Sequence, residues 1–182
     1  MRKNQLVPNG YVYVEKNKNI NGCEIMDSMK NYAKPTGNEG NKLLDSMDIN
    51  HSPRALWSLN LMPIEEEDMI VDIGCGSGLN VKRLHEKSPK SKTIGLDYSS
   101  ISVKKSIETN KELVDNGEIE IYEANVLNMP FEDNLFDVAT AFSTIFFWPD
   151  IVNSFKEVKR VLKDDGKFIM VHGMTIDNGE TE

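Results

Sequence analysis

The sequence predicts an α/β fold in which helices cover both faces of a parallel sheet. Between residues 69 and 171, short apolar runs alternate with segments whose apolar residues have helical spacing. The first apolar run stops at a cluster of glycines, and Ser-Pro, Asn-Gly and Asp-Asp-Gly turn signals separate later segments. Strands that alternate with helices pair in parallel through right-handed crossovers.

Five strands and their linking helices follow from this pattern. The strands are predicted at residues 69–73, 93–96, 119–122, 136–142 and 167–171. Helices are predicted at 79–86, 99–114 and 151–162. Apolar positions between residues 40 and 62 indicate one or two further helices, with Ser52 as an N-cap and Pro53 in the first helical position.

Length, charge and cysteine count exclude several classes of protein. The 182 residues suit one domain, for which we predict residues 40–182, with residues 1–39 as an N-terminal extension. The net charge of −8 disfavours nucleic-acid binding. No stretch approaches the roughly 18–20 apolar residues of a membrane span, and the first residues do not resemble a signal peptide. Cys23 and Cys75 are too few for a disulfide framework or a zinc site, so we expect a cytoplasmic protein without a metal.

The glycine cluster is the most informative motif. Residues 72–78 read D-I-G-C-G-S-G, so Gly74 and Gly76 lie where a strand turns into a helix. Glycine permits unusual backbone angles and close approach of a ligand. A glycine turn alone could be purely structural. The third glycine comes two residues after the second, unlike the G-x-G-x-x-G spacing of dinucleotide-binding folds.

This stretch resembles the first motif of class I S-adenosylmethionine-dependent methyltransferases, an acidic residue followed by G-x-G-x-G. The resemblance implies a Rossmann-like three-layer sandwich with sheet order 3-2-1-4-5 and S-adenosyl-L-methionine as the cofactor. It also implies that Asp72, Gly74, Cys75 and Gly76 contact the amino-acid half of that cofactor.

Asp97 is the second acidic candidate. It ends the second predicted strand, 19 residues after Gly78, where a carboxylate can accept hydrogen bonds from both ribose hydroxyls. Alternatively, Asp97 opposes the dipole of the following helix. Because Asp97 follows the glycine motif in the sequence, its role in ribose binding is favoured. Tyr98 is expected to pack on the adenine.

Residues 124–131 resemble the family segment G-D-A-x-x-L-P-F, with Asn125 in the aspartate position. The amide oxygen of Asn125 can accept a hydrogen bond from the adenine amino group, and Val126 would supply a backbone N–H to the ring. The alternative is an ordinary asparagine turn. Phe142, at the end of the fourth strand, is also predicted to contact the cofactor.

The methyl acceptor is expected beyond the fourth strand. Phe146, Phe147 and Trp148 could line an apolar pocket or could pack in the core. His51 and His172 are candidate catalytic bases because imidazole titrates near neutral pH, although a lone histidine is more often structural. Residues 50–57 resemble a segment that covers the cofactor in some small-molecule methyltransferases. His85 is expected to face solvent.

The predicted function is methyl transfer from S-adenosylmethionine to a small molecule. Nothing resembles the N-P-P-Y tetrapeptide of base and amide N-methyltransferases. Only ten residues follow His172, too few for the two C-terminal antiparallel strands of the family fold, and an exposed sheet edge could promote homo-oligomers. The alternatives are a non-catalytic module that binds S-adenosylmethionine or S-adenosylhomocysteine and, less favoured by the glycine spacing, an NAD-dependent oxidoreductase.

Overall fold

The computed structural model describes residues 32–172, so Cys23 and most of the predicted N-terminal extension lie outside the described part. The strands are β1 (Ile70–Ile73), β2 (Thr93–Asp97), β3 (Ile119–Glu123), β4 (Phe136–Phe142) and β5 (Leu162–Val171). The helices are α1 (Gly37–Leu61), α2 (Leu79–Lys87), α3 (Ser100–Thr109), α4 (Lys111–Asp115) and α5 (Ile151–Val161), and a 3-10 turn spans Ile145–Phe147.

The five strands form one sheet in the order β3-β2-β1-β4-β5, and every neighbouring pair is parallel. This confirms the predicted Rossmann-like fold and strand order. Strands β2 and β3 lie on one side of β1, and strands β4 and β5 lie on the other. Because the strand order reverses at this point, a crevice opens beyond the carboxyl ends of β1 and β4. The predicted turn at Asp164, Asp165 and Gly166 lies in an irregularity within β5, because Phe136 pairs with Leu162 and Val138 pairs with Lys167.

The core lies on both faces of the sheet. Successive residues of β1 point to opposite sides, so Ile70 packs with Leu59 of α1 and Leu84 of α2, whereas Val71 packs with Val158 of α5. All four residues of β1 are buried. Burial on both faces explains why β1 and β2, near the centre of the sheet, are mostly apolar in sequence.

The predicted helix boundary at Ser52 and Pro53 is wrong, because α1 continues through Pro53. Proline cannot donate a helical hydrogen bond, and a proline inside a helix costs about 3 kcal/mol. Tertiary packing offsets this cost, because Ala55 and Leu59 are buried on the turns that follow Pro53.

His85 is buried, contrary to the sequence-based expectation of a solvent-facing residue. Its side chain lies on the inner face of α2 with Val81 and Leu84, and the residue is 5% exposed. Its Nε2 atom lies 3.2 Å from Oε2 of Glu118. The helical spacing of residues 81, 84 and 85 places the imidazole toward the sheet.

The predicted helix at 99–114 is two helices separated at Asn110. The Asn110 side chain is buried, and its Nδ2 atom donates to the carbonyl oxygens of Gly78 and Ser106 at 3.0 and 2.8 Å. These bonds attach the end of α3 to the glycine loop. Within residues 32–172, no helix has both the length and the hydropathy needed to cross a lipid bilayer.

Candidate functional site

Two adjoining cavities open at the carboxyl edge of the sheet, one of about 350 Å³ and one of about 200 Å³. The larger lies between the glycine loop and α1, and the smaller lies between β2 and the loop that follows β3. Five residues line both cavities: Gly74, Asp97, Tyr98, Thr144 and Phe147. The shared walls mean that one elongated ligand could occupy both spaces.

The glycine loop forms the floor where the cavities meet. Gly74 has φ +78°, and its N–H donates to the Leu96 carbonyl oxygen at 2.7 Å. A Cβ atom on Gly74 would lie 2.2 Å from Oγ1 of Thr144. This position therefore requires glycine both for its backbone angle and for the close approach of Thr144. The sequence alone placed Thr144 in the segment beyond the fourth strand that was expected to form the acceptor site, and not against the glycine loop.

Asp97 lies at the junction of the cavities and is 8% exposed. Its Oδ2 atom accepts a hydrogen bond from the Gly76 N–H at 3.0 Å, and its Oδ1 atom accepts one from the Ser99 N–H at 2.9 Å. Burial raises the pKa of this carboxyl group. Each carboxylate oxygen can accept a further hydrogen bond, which gives Asp97 the capacity to bind a vicinal diol. The side chain of Ser99, rather than that of Asp97, caps α3.

Asp72 lines the larger cavity from β1 and is 1% exposed. Burial raises the pKa of its carboxyl group to about 7, although the Thr140 hydroxyl donates to Oδ1 at 2.8 Å and partly opposes the shift. The neighbouring Asp97 carboxylate raises the pKa further. A cation in the cavity would favour the charged form of Asp72.

One face of α1 covers the larger cavity, with residues 44, 48, 51 and 55 among its lining. Oδ1 of Asp48 accepts a hydrogen bond from the Ser77 hydroxyl at 2.6 Å. Nη1 of Arg54 donates to Oγ of Ser143 at 3.1 Å. These contacts tie α1 to the loops after β1 and β4. Sequence reasoning assigned no role to Asp48, but the three- and four-residue spacing on α1 was a signal that could have found it.

The two candidate bases have different environments. His51 lines the larger cavity, where burial and the nearby Arg54 guanidinium lower the pKa of its imidazole. The ring is therefore neutral at pH 7 and able to accept a proton. His172 is exposed, lines neither cavity, and contacts the Phe146 ring edge-on with 5.7 Å between ring centroids.

The smaller cavity contains the residues that were expected around an adenine. Tyr98, Asn125 and Val126 all line it. Oδ1 of Asn125 accepts a hydrogen bond from the Leu127 N–H at 2.9 Å, so the asparagine turn is formed, and the oxygen has a second lone pair. The Tyr98 hydroxyl donates to the Ala33 carbonyl oxygen at 2.6 Å, which holds residues near the predicted domain boundary against the site.

The aromatic residues at the end of β4 and in the segment after it are divided between the cavities. Phe142 and Phe146 line the larger, Trp148 lines the smaller, and Phe147 lines both. Phe146 is 60% exposed. Trp148 stacks on Phe168 with 6.1 Å between centroids, so the core-packing interpretation also holds for this residue. The Cys75 thiol is buried and lies 3.8 Å from Oγ of Ser106, so only its backbone is available to a ligand.

Comparison with known proteins identifies the fold and the family. The methyltransferase domain family matches residues 71–170, which is more than half of the chain. A chloroplast methyltransferase of Arabidopsis thaliana, described as uncharacterised, is 32% identical over 107 residues, 57% of this chain and 30% of that protein. The demethylmenaquinone methyltransferase of Listeria welshimeri is 29% identical over 115 residues, 63% of this chain and 48% of that protein.

A solved structure gives the same assignment. A Methanococcus maripaludis protein assigned to the S-adenosylmethionine-dependent methyltransferases superposes with a TM-score of 0.64 and 28% identity, covering 72% of this chain and 62% of the other. The chain thus spans about a third to a half of the length of the curated relatives named above. The matched region contains β1 from Val71 onward, the glycine loop and Asp97. The chain belongs to the methyltransferase domain family, within the class I S-adenosylmethionine-dependent methyltransferases.

Proposed function

We propose that this chain binds S-adenosylmethionine across both cavities and transfers its methyl group to a small-molecule acceptor. The observation that carries the proposal is the position of Asp97, a buried carboxylate that borders both cavities and has free acceptor capacity. A ribose bound there would direct the two halves of the cofactor into the two spaces.

In this arrangement the adenine occupies the smaller cavity between Tyr98 and Val126, and Asn125 accepts a hydrogen bond from the exocyclic amine. The methionine half lies against the loop at Gly74 and Gly76, with its ammonium group directed toward Asp72. The cationic cofactor would lower the pKa of Asp72. At neutral pH the Asp72 side chain would then be a negatively charged partner for the ammonium group.

Arg83 is the group that we assign to the carboxylate of the methionine half. It lies on α2, which the glycine loop leads into, and it lines the larger cavity. Its guanidinium donates to Oδ1 of Asn80 and to Oγ of Ser52, both at 2.9 Å and both neutral. Guanidinium groups bind carboxylates in a bidentate geometry.

Methyl transfer is a direct displacement. A lone pair of the acceptor forms a bond to the methyl carbon while the carbon–sulfur bond breaks, and the sulfonium becomes a neutral thioether. Holding the nucleophile in line behind the methyl group supplies much of the acceleration. Where the acceptor must lose a proton, the neutral imidazole of His51 is placed to accept it, and Phe146 and Phe147 supply an apolar wall. Because His172 lies outside both cavities, its candidate role as a base has no support from its position.

The charge and the sheet edge support two further parts of the proposal. The net charge of −8 favours a small acceptor over nucleic acid. Among the described residues, β5 pairs with β4 alone and Met170 is 46% exposed, which favours a homo-oligomer formed through this edge. Light scattering of the wild type and of Met170→Lys tests this, because a lysine on an edge strand disfavours pairing.

We also propose a cytoplasmic location, which the free buried Cys75 thiol supports and cell fractionation would test.

Calorimetric titration tests the cofactor assignment. Purified protein is titrated with S-adenosylmethionine, S-adenosylhomocysteine and NAD, for the wild type, Asp97→Ala and the exposed control Asp165→Ala. We expect both sulfur nucleotides, but not NAD, to bind the wild type and the control, and binding to be lost in Asp97→Ala. Absence of sulfur-nucleotide binding to the wild type would refute the proposal, whereas NAD binding would favour the oxidoreductase alternative.

A screen of acceptors then separates catalysis from simple binding. The assay measures S-adenosylhomocysteine released from S-adenosylmethionine in the presence of small-molecule extracts. Release that depends on both the extract and Asp97 supports methyl transfer. Binding of the cofactor without any release would favour the non-catalytic module.

A further inference from the structure

Two guanidinium groups, those of Arg54 and Arg83, line the larger cavity and donate no hydrogen bond to a carboxylate of residues 32–172. The contacts of Arg54 and Arg83 are to neutral side chains, those of Ser143, Asn80 and Ser52. By contrast, Arg160 donates to the carboxylates of Asp133 and Glu157 outside the site. A guanidinium has five N–H donors, and the contact with Ser143 uses one donor of Arg54. Because the Arg83 guanidinium also acts on the pKa of the Asp48 carboxylate, Arg54 is the group with spare donors for an anionic ligand.

The two groups are attached to different parts of the site. Arg83 lies on α2 beside the glycine loop, where the methionine half of the cofactor is expected. Arg54 extends from α1 to Ser143, the residue that directly follows β4. Phe142, the last residue of that strand, and Phe146, in the segment after it, line the same cavity. Arg54 therefore belongs to the part of the cavity assigned to the acceptor.

Ser143 has an unusual backbone conformation that fixes this contact. Its φ is +56°, a left-handed angle that costs a non-glycine residue about 1–3 kcal/mol. Its N–H donates to the Val171 carbonyl oxygen at 2.7 Å, which anchors the strained residue to β5. The hydroxyl of Ser143 then accepts from Nη1 of Arg54. The turn orients the guanidinium from one side and leaves its other donors for a ligand.

We propose that Arg54 binds an anionic group of the methyl acceptor, so that the acceptor combines an apolar body with a carboxylate or another anionic oxygen. This inference rests on the proposed function and specifies its substrate class. The planar guanidinium matches such a group in a bidentate geometry, and its partial burial strengthens the interaction. Phe146 and Phe147 line the same cavity and provide apolar surface for the body of the acceptor.

His51 and Asp48 are the other titratable groups of α1 that line this cavity. Burial and the positive charge of Arg54 lower the pKa of His51, so at neutral pH the imidazole adds no second charge. Asp48 also faces this space, but its carboxylate already accepts from Ser77, and burial raises its pKa. Arg54 is then the charged group of α1 that is available to an acceptor beyond β4.

The test uses defined probes in place of the unidentified acceptor. Benzoate and its neutral analogue benzamide are titrated by NMR into full-length protein saturated with S-adenosylhomocysteine. Because a hydrogen bond between charged groups is stronger than one to a neutral group, we expect wild type to prefer benzoate by about tenfold. Arg54→Met should remove the preference, and Arg54→Lys, which keeps the charge, should retain part of it.

A second titration distinguishes acceptor binding from cofactor binding. S-adenosylhomocysteine carries the amino-acid carboxylate, whereas 5′-methylthioadenosine lacks it. We expect Arg54→Met to bind both nucleosides as the wild type does, and Arg83→Met to lose affinity for S-adenosylhomocysteine alone. These unchanged affinities also show that Arg54→Met is folded.

Three results would overturn the inference. The first is equal affinity of the wild type for benzoate and benzamide. The second is a selective loss of S-adenosylhomocysteine binding in Arg54→Met, which would assign Arg54 to the cofactor carboxylate. The third is failure of S-adenosylhomocysteine to bind wild type, which would refute the proposed function and this inference with it; the first two leave the proposed function intact.

Discussion

Asp72 is a buried carboxyl group that should make the protein less stable as the pH rises. Its pKa in the folded chain is about 7, against an ordinary value of 3.8. The folded state therefore holds a proton that the unfolded state has released between these two pH values. Stability falls with increasing pH wherever the folded state binds more protons. Replacing Asp72 by Asn keeps an oxygen that can accept from Thr140 but removes the titration.

The size of the effect follows from the shift. The difference between 3.8 and about 7 is roughly three pKa units, each equivalent to about 1.4 kcal/mol. The free energy of unfolding of Asp72→Asn should match that of the wild type near pH 4. Above pH 7 the variant should be more stable by an amount on the order of 4 kcal/mol.

Urea denaturation at a series of pH values between 4 and 8 measures this difference. Asp137→Asn is the matched control with the opposite sign. Burial acts to raise the pKa of Asp137, but the Lys163 ammonium and the Met69 N–H outweigh burial and hold it below its ordinary value. This carboxylate stabilises the fold above its unfolded pKa and loses that effect as the pH falls. The control variant should therefore be less stable than wild type at pH 7.

A pH-independent difference between the wild type and Asp72→Asn would contradict the reasoning. So would a variant that is less stable than the wild type at pH 8, because the buried charge would then be compensated within the free protein. Addition of S-adenosylmethionine should reduce the advantage of the variant at pH 8, since the bound cation stabilises ionised Asp72.

Three other predictions follow from the geometry. Gly74→Ala should lower the free energy of unfolding by more than the roughly 1–2 kcal/mol of a left-handed alanine, since the new Cβ meets Thr144, and Thr144→Gly in the same chain should recover part of the loss in urea denaturation. Phe136→Ala should cost about 3–5 kcal/mol in the same assay, because the ring is fully buried. The NMR titration midpoint of His51 should lie below 6.5, and Arg54→Met should move it upward; an unchanged midpoint would contradict the electrostatic effect of Arg54 on the imidazole.

Much of the fold could be predicted because it depends on local patterns. The buried strands are short apolar runs, and β4 was predicted with its observed bounds. The glycine loop carries its backbone requirement in its sequence, since Gly74 needs a positive φ. The strand order followed from the family resemblance, which residues 72–78 carried.

The errors arose where distant residues decide the outcome. Proline is locally a helix terminator, yet α1 continues past Pro53 because Ala55 and Leu59 are packed against the rest of the fold. His85 is polar, but its place beside Val81 and Leu84 on α2 buries it. The secondary-structure propensities of proline and histidine predict neither result. The helical spacing of His85 from Val81 and Leu84, however, could have predicted its burial.

The site was predictable only in part for the same reason. Asp72 and Asp97 fall beside motifs, and the structure places both at the larger cavity. The contact between Arg54 and Ser143 joins residues 89 positions apart, and it depends on how α1 lies across the sheet edge. No motif or spacing in the sequence predicts that these two residues meet.

A crystal structure of the complex with S-adenosylhomocysteine tests the central claim most directly. We expect the ribose hydroxyls to be hydrogen-bonded to Asp97, the adenine to lie in the smaller cavity beside Val126, and the amino-acid half to lie in the larger cavity against Gly74. A nucleoside bound elsewhere, or one whose ribose does not contact Asp97, would contradict it.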